Sequence, residues 1–229
     1  MIHPNMATML GVLLTDANIT QSLLQHALTH AVNRSFNCCS IDGDTSTNDT
    51  VALLANGASH SQKITKIESK EYHQFEANLT ELCQCLTKKL VRDGEGATKL
   101  IEIEVCSARS VEDAQKVANS IAKSPLVKTA IHGEDANWGR ILCAVGYSDA
   151  HVDPEEVDMW FVDHRNPERS LHILKDGSPH QIDEIEAKRI LSQENIYIRV
   201  ELNVGKEMIK VWTCDFSEDY IHINADYRS

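Results

Sequence analysis

A chain of 229 residues is long enough to hold one large domain, or two closely packed lobes, around a substantial core. Its hydrophobic fraction of 42% and charged fraction of 24% are those of an ordinary soluble globular protein. The balance of 34 acidic against 22 basic side chains gives a formal charge of −12, which argues against a nucleic-acid binder and leaves recognition of any carboxylate substrate to local donors.

The opening residues, MIHPNMATMLGVLL, read as a strand entering a core, with a turn at Thr15 and Asp16. Within them Ala7-Thr8 has a second, chemical reading. A Thr hydroxyl is a poor nucleophile unless a base adjoins it. A Thr at the head of a chain carries its own α-amine, whose ordinary pKa of about 8 makes it a usable base near neutrality. Thr8 reaches that state only if the bond after Ala7 is cut. Leu23, Leu24, Ala27, Leu28, Ala31 and Val32 then recur at helical spacing, which predicts an amphipathic helix from about Thr20 to Asn33. His26 and His30 lie four apart on it; without a following Glu or a third ligand they read as a solvated face, not a metal site.

Ser35 to Ile41 reads as a short strand running into Asp42 to Thr50, a polar turn that lacks the Gly and Glu of a calcium loop. Val51 to Ala55 is apolar, and Ala58 to Tyr72 has the character of a variable loop. A second amphipathic helix carries Phe75, Leu79, Leu82, Cys83, Leu86, Leu90 and Val91 and ends at Asp93-Gly94. Glu95 stands between two glycines just before an alternating strand, Leu100 to Val105, where a ligand can approach the backbone closely. Ser110 opens a third helix with Glu112-Asp113 at its positive end, and Ser124-Pro125 stops it. Leu126 to Ile131 reads as a strand, after which Asp135, Asn137 and Trp138 form a turn entering apolar Ile141 to Val145.

From about His151 the texture changes to strands and charged turns. Val157 to Val162 and Leu171 to Leu174 are strands, Ile182 to Leu191 a helix, and Ile196 to Leu202 and Met208 to Trp212 paired strands joined around Gly205. Tyr220 to Ser229 reads as a strand and tail. No apolar run approaches the ~18 residues of a membrane span, and the residues after Met1 form neither a signal nor a transit segment. The seven Cys lack metal or C-x-x-C spacing, so reduced intracellular thiols are expected.

The stretches MIHPNMATMLGVLLTDA, SIDGDTSTNDTVALLANGA, LVRDGEGATKL, SPLVKTAIHGEDANWGRI and INADYRS, in that order, resemble the ornithine acetyltransferases, the bifunctional glutamate N-acetyltransferases of arginine biosynthesis. The resemblance runs from the first residue to the last. It implies an α+β fold, a layered α/β sandwich of the self-cleaving acetyltransferase and aminopeptidase type, with mixed sheets packed by helices and a C-terminal lobe rich in antiparallel strands. Residues 1–7 would be the end of an α chain, 8–150 the β-chain core and 151–229 a lobe completing the site.

In that family a precursor cuts itself between the residues matching Ala7 and Thr8. Thr8 would then attack the acetyl carbonyl of N-acetylornithine and pass the acetyl group to glutamate. The resemblance makes Thr8 catalytic and substrate-binding, and assigns substrate contacts to Glu95, Asn224 and Ser229, the last a Ser where many relatives have Thr. Asp42, Asp44, Thr47, Asn48 and Asp49 would support the catalytic centre. No metal and no cofactor are implied, although acetyl-CoA is an alternative acetyl donor in bifunctional members. The implied partner is the α chain of the same precursor in an α2β2 heterotetramer, and neither nucleic acid nor membrane. The α chain would supply the Thr-Gly oxyanion donors, so the chain by itself is expected to keep residues 1–7 and to be inactive. The look of the blocks leans towards fungal members of the mitochondrial matrix; bacterial members are cytoplasmic. Two other readings are a truncated or non-catalytic β-chain-like paralogue that binds a partner or amino acid, and a self-cleaving aminopeptidase relative, against which Glu95 and Asn224 to Ser229 weigh.

Overall fold

The computed structural model describes residues 1–3 and 9–226. The chain divides into two compact units, Met1–Lys89 and Leu90–Ser229. The boundary expected near residue 150 falls inside the second of these, because strands from both sides of it share one sheet.

In the first unit, β1 (Leu10–Thr15) leads to α1 (Gln21–Asn33), then β2 (Thr50–Ala55) and α2 (Lys70–Arg92). The two strands pair in parallel, Leu10 opposite Thr50 through Thr15 opposite Ala55. Leu13, Ala27, Ala31, Phe36, Tyr72, Leu79 and Cys83 form the core, in which small Ala side chains on α1 face larger groups on α2. The other face of β1 is different. Leu10, Val12 and Leu14 point outward at 79, 67 and 77% exposure, beside Leu54 of β2 at 54%. Parallel strands are ordinarily covered on both faces.

One expectation fails in this unit for a local reason. Ser35 to Ile41 is not a strand: Phe36–Cys38 form a single 3-10 turn. Ser35 Oγ donates to the Ala31 carbonyl at 2.6 Å and the Cys38 N–H to the Ser35 carbonyl at 2.8 Å, tying off the carbonyl end of α1. His26 and His30 are exposed and partly exposed, in keeping with the expected solvated face, and they also carry polar contacts. His26 Nδ1 lies 2.6 Å from the Tyr72 hydroxyl, which donates to Glu76 at 3.0 Å, and His30 Nδ1 lies 3.6 Å from the same carboxylate. Burial, reinforced by Glu76, pushes the Tyr72 hydroxyl up to about 12, so it stays a donor.

The second unit holds β3 (Leu100–Ala108), α3 (Val111–Lys123), α4 (Pro125–His132), α5 (Trp138–Gly146), β4 (Asp158–Phe161), β5 (Leu171–Lys175), β6 (Ser178–Pro179), α6 (Glu184–Leu191), β7 (Asn195–Glu201), β8 (Glu207–Cys214) and α7 (Glu218–Asp226). Ser110 caps α3 by accepting the Asp113 N–H, as its sequence implies. Leu126 to Ile131 is helix, not strand: Ser124 accepts the Val127 N–H, and Pro125 occupies the first helical position. The Ser-Pro pair that stops one helix therefore starts the next. The tail from Tyr220 to Asp226 is also helical rather than extended, with Glu218 and Asp219 at the positive end of its dipole.

The sheet runs in the order β6-β5-β4-β7-β3-β8. The expected hairpin of β7 with β8 is absent, because β3 lies between them, parallel to β7 and antiparallel to β8. Ile101, Ile103 and Val105 are fully buried in the middle of this sheet, and Val117, Ala118 and Ile121 of α3 are buried with them. The link from β7 to β8 has to cross the end of β3, and Gly205 is where it does so. A Cβ there would lie 2.1 Å from the Ala108 carbonyl oxygen and 2.8 Å from Arg109 Cα. Gly205→Ala is expected to destabilise the chain by about 2 kcal/mol or more, since backbone on both sides must move. A urea-unfolding midpoint equal to that of the parent would refute this account of the crossing.

Candidate active site

Ala7, Thr8 and Ser229, three of the residues singled out by sequence, lie outside the described residues. The chain on both sides of positions 4–8 is nevertheless well anchored, and by the polar loop expected to support it. On one side the Ile2 N–H donates to Asp42 Oδ1 at 3.0 Å, while the Ile2 carbonyl accepts from the Ile41 N–H at 2.9 Å and from Ser40 Oγ at 3.2 Å. On the other the Met9 N–H donates to Asp49 Oδ1 at 2.8 Å, and the Met9 carbonyl accepts the Thr50 N–H at 2.9 Å.

Asp42 and Asp49 thus hold the two flanks. Asp44, Thr47 and Asn48 instead bond within the loop: the Asp44 N–H to Asp42, Thr47 Oγ1 to Asn48, and the Asn48 N–H to Ser46. Sulfur chemistry is suppressed next to this loop. Burial pushes the Cys38 thiol up to about 11 and, with Cys38 and Asp49 adding to it, the Cys39 thiol up to about 12. Neither thiol is a thiolate near neutrality, so neither competes as a nucleophile.

The second cluster lies entirely in the second unit. Leu100, the first residue of β3, pairs with Cys214, the last of β8. The residues before β3 and those after β8 therefore leave the sheet at the same end. Glu95 stands on the first of these segments and Asn224 on the second, and Asn224 Nδ2 donates to Glu95 Oε2 at 2.8 Å. The same Nδ2 reaches the Tyr220 carbonyl at 2.9 Å, one turn back on α7. Two acceptors, the carboxylate and the Asn224 side-chain oxygen, are thereby set side by side on an exposed surface, an arrangement suited to an ammonium group. Tyr220 stacks on Phe216 with ring centroids 4.7 Å apart, and the buried Lys128 ammonium lies 4.3 Å from the centre of the Phe216 ring.

Comparison with known proteins concerns the chain as a whole. The whole chain, residues 1–229, matches the ArgJ family. The chain belongs to that family. Among curated proteins it is 52% identical over 229 residues to the "Arginine biosynthesis bifunctional protein ArgJ, mitochondrial" of Schizosaccharomyces pombe, a match that takes in 100% of this chain and 51% of that protein. It is 49% identical to the protein of the same name from Neurospora crassa, again over 100% of this chain and 51% of the relative. The chain thus spans about half the length of the curated relatives it matches. A crystal structure of the arginine biosynthesis bifunctional protein argJ from Bacillus halodurans superposes with a TM-score of 0.89 at 43% identity, covering 96% of this chain and 100% of that one. The α+β class of the ArgJ-type fold is what the sequence implied.

Sequence reasoning missed the residues that hold these ArgJ-family segments in place. Ser40 carries no signal of its own, and Asp215, between an apolar strand and an aromatic, reads as a strand terminus. Asp215 is fully buried and accepts from the Thr98 N–H (2.8 Å), Thr98 Oγ1 (2.5 Å), the Lys99 N–H (2.8 Å) and His132 Nδ1 (2.7 Å). Burial would raise its pKa, but these bonds prevail and hold the carboxyl below its ordinary value. The stabilisation it gives is complete above the ordinary carboxylate range and is lost as pH falls through the depressed value. Asp215→Asn is therefore expected to lower the unfolding free energy at pH 7, with the gap from the parent closing below about pH 4. Urea titrations at a series of pH values measure this; a gap that is unchanged at the acid end would contradict it.

Proposed function

We propose that this chain is the β-chain half of a self-cleaving acetyltransferase that moves an acetyl group from N-acetylornithine to glutamate in arginine biosynthesis. The observation that carries the proposal is the meeting of Glu95 and Asn224, 129 positions apart in sequence and joined at 2.8 Å. These are two of the substrate contacts that the family resemblance picks out, and the acceptors they present suit the amino end of an ornithine. The names of the relatives, arginine biosynthesis bifunctional proteins, support the same activity.

In this mechanism cleavage between Ala7 and Thr8 begins with an N-to-O acyl shift, in which the Thr8 hydroxyl attacks the Ala7 carbonyl and the amide becomes an ester. Water then hydrolyses that ester, releasing the Ala7 carboxylate and leaving Thr8 with a free hydroxyl and a free α-amine. The freed α-amine of Thr8 then takes the proton of its own hydroxyl as Oγ attacks the acetyl carbonyl of N-acetylornithine. The amine returns that proton to the departing nitrogen of ornithine, leaving an acetyl-Thr ester. The amino group of glutamate attacks the ester, and N-acetylglutamate leaves with the Thr8 hydroxyl restored. Donors for the tetrahedral oxyanion, typically worth a few kcal/mol each, come from the preceding half of the precursor. No cofactor takes part in this transfer; in bifunctional members of the family acetyl-CoA is a further acetyl donor. Glu95, Asn224 and Ser229 hold the substrate.

The preceding half is the proposed partner, in an α2β2 assembly, and the exposed aliphatic face of β1 and β2 favours a chain that works with a second polypeptide. A mitochondrial location follows the fungal relatives, which are named so.

Co-expression with the α half of a fungal relative tests this directly. Intact-mass measurement is expected to show loss of residues 1–7 only in the co-expressed sample, and the assembly to convert acetylornithine and glutamate to ornithine and acetylglutamate. Thr8→Val is expected to abolish both processing and turnover, and Glu95→Gln to raise the KM for acetylornithine about ten-fold or more. Processing without acetyl transfer, or full turnover by the Thr8→Val assembly, would overturn the proposal.

A further inference from the structure

The Glu95–Asn224 pair is exposed, and exposed side-chain pairs do not hold their own geometry. What fixes it is a ladder of contacts behind it. From Asp215 onward, the chain that leaves β8 runs beside the chain that enters β3. Asp215 grips Thr98 and Lys99. Ser217 Oγ donates to the Gly96 carbonyl at 2.5 Å. The start of α7 is then pressed against Gly96 itself. That residue sits at φ +65°, and a Cβ on it would lie 2.5 Å from the Tyr220 nitrogen and 2.9 Å from the Asp219 carbonyl carbon. Four positions further on, the helix delivers Asn224 to Glu95. The turn that carries Glu95 is therefore tied to α7 through its next residue, Gly96.

The far side of the ladder is braced by charge. His132, the last residue of α4, bonds Asp215, while Lys99 Nζ donates to the carbonyls of Ile131 (3.1 Å) and Leu191 (2.6 Å) and lies 3.7 Å from Glu134. Lys128 Nζ contacts Thr213 and Cys214, the residues just before Asp215.

Granted the acetyltransferase reading, on which this rests, we infer that Ser217 and Asp215 are positioning residues that set the spacing between Glu95 and Asn224 and so the affinity for the substrate's amino end. They touch no reacting atom. Loosening them affects binding of the ammonium group equally in ground and transition states, so KM responds and kcat does not. Ser217 is the better probe, because it is half-buried and its hydroxyl is the only group removed by substitution with Ala, whereas Asp215 is embedded in the fold.

In the co-expressed two-chain assembly, Ser217→Ala is expected to raise the KM for acetylornithine about five-fold with kcat within about two-fold of the parent. Ser217→Thr, which keeps the hydroxyl, is expected to restore KM. In hydrogen–deuterium exchange of the 229-residue chain, the same Ala substitution should speed exchange in 95–98 and 218–226 together. An unchanged KM in Ser217→Ala, a fall in kcat instead, no rescue by Thr, or exchange that changes in one segment alone would each overturn the inference. A parent assembly with no acetyl transfer would instead sink the acetyltransferase reading, so the two failures are told apart by the parent.

Discussion

The antiparallel register of β3 on β8 is the constraint from which the rest of the second unit follows. Pairing Leu100 with Cys214 obliges the chain before one strand and the chain after the other to emerge at a common edge. Parallel pairing of β3 with β7 does not do this; it sets Leu100 beside Asn195, at the start of both strands. A mixed sheet with β3 between the two is thus what brings a turn at residue 95 to a helix near the C-terminus. The ladder through Asp215, Ser217 and Gly96 then converts a shared edge into a defined spacing. A shift of one residue in that register would send every β3 side chain to the opposite face. The fully buried Ile101, Ile103 and Val105 make such a slip untenable. The same hydrophobic pattern that stabilises the sheet therefore also aligns the two candidate substrate contacts.

Buried charge sits at this edge for a related reason. Asp215, Lys99 and Lys128 are almost wholly inaccessible, and burying an unpaired ion is prohibitive. Each is satisfied chiefly by backbone or hydroxyl groups rather than by one opposite charge. Asp215 takes two N–H groups and two side-chain donors; Lys99 gives to carbonyls at the ends of α4 and α6. Helix C-termini carry orphan carbonyls and partial negative charge, so a buried ammonium there settles two deficits together. Groups bound this way are hard to move singly, which makes the edge a rigid base for the exposed pair above it.

Elements whose signal is local were legible in the sequence. The helices at Gln21–Asn33, Lys70–Arg92 and Val111–Lys123 follow from apolar spacing, and the turn around Glu95 from its flanking glycines. Errors cluster where local pattern and wider context disagree. Leu126 to Ile131 is apolar and short, a stretch for which periodicity cannot distinguish strand from buried helix; Ser124-Pro125, which stops α3, also starts α4 and decides it. Ser35 to Ile41 is likewise short, but its hydroxyl and thiol groups close off α1 instead of extending. The missing β7–β8 hairpin is a different kind of miss. Two adjacent strands with Gly205 between them look like a hairpin, and only β3, about a hundred residues earlier in the chain, reveals that the glycine permits a crossing. Asp215 and Ser217 were invisible for the same reason: their partners are distant in sequence, so nothing nearby marks them.

The first unit poses a problem that its own residues do not solve. A pair of parallel strands gains little from backbone pairing alone, and two-stranded sheets are marginal in water. Here the inner face is supported by α1 and α2, but Leu10, Val12, Leu14 and Leu54 gain nothing from folding while they remain wet. At roughly 25 cal/mol per Å² of apolar surface, covering four such side chains is worth several kcal/mol. That is comparable to the whole stability of many domains. Under the two-chain proposal this deficit has a function. β1 begins two residues after Thr8, and Asp49 fixes the Met9 amide that separates them. Any polypeptide that covered the β1–β2 face would be held within a few residues of the proposed nucleophile. Under that proposal the strand that is costly to leave exposed is also the one next to the nucleophile, so that covering it would link assembly to activation.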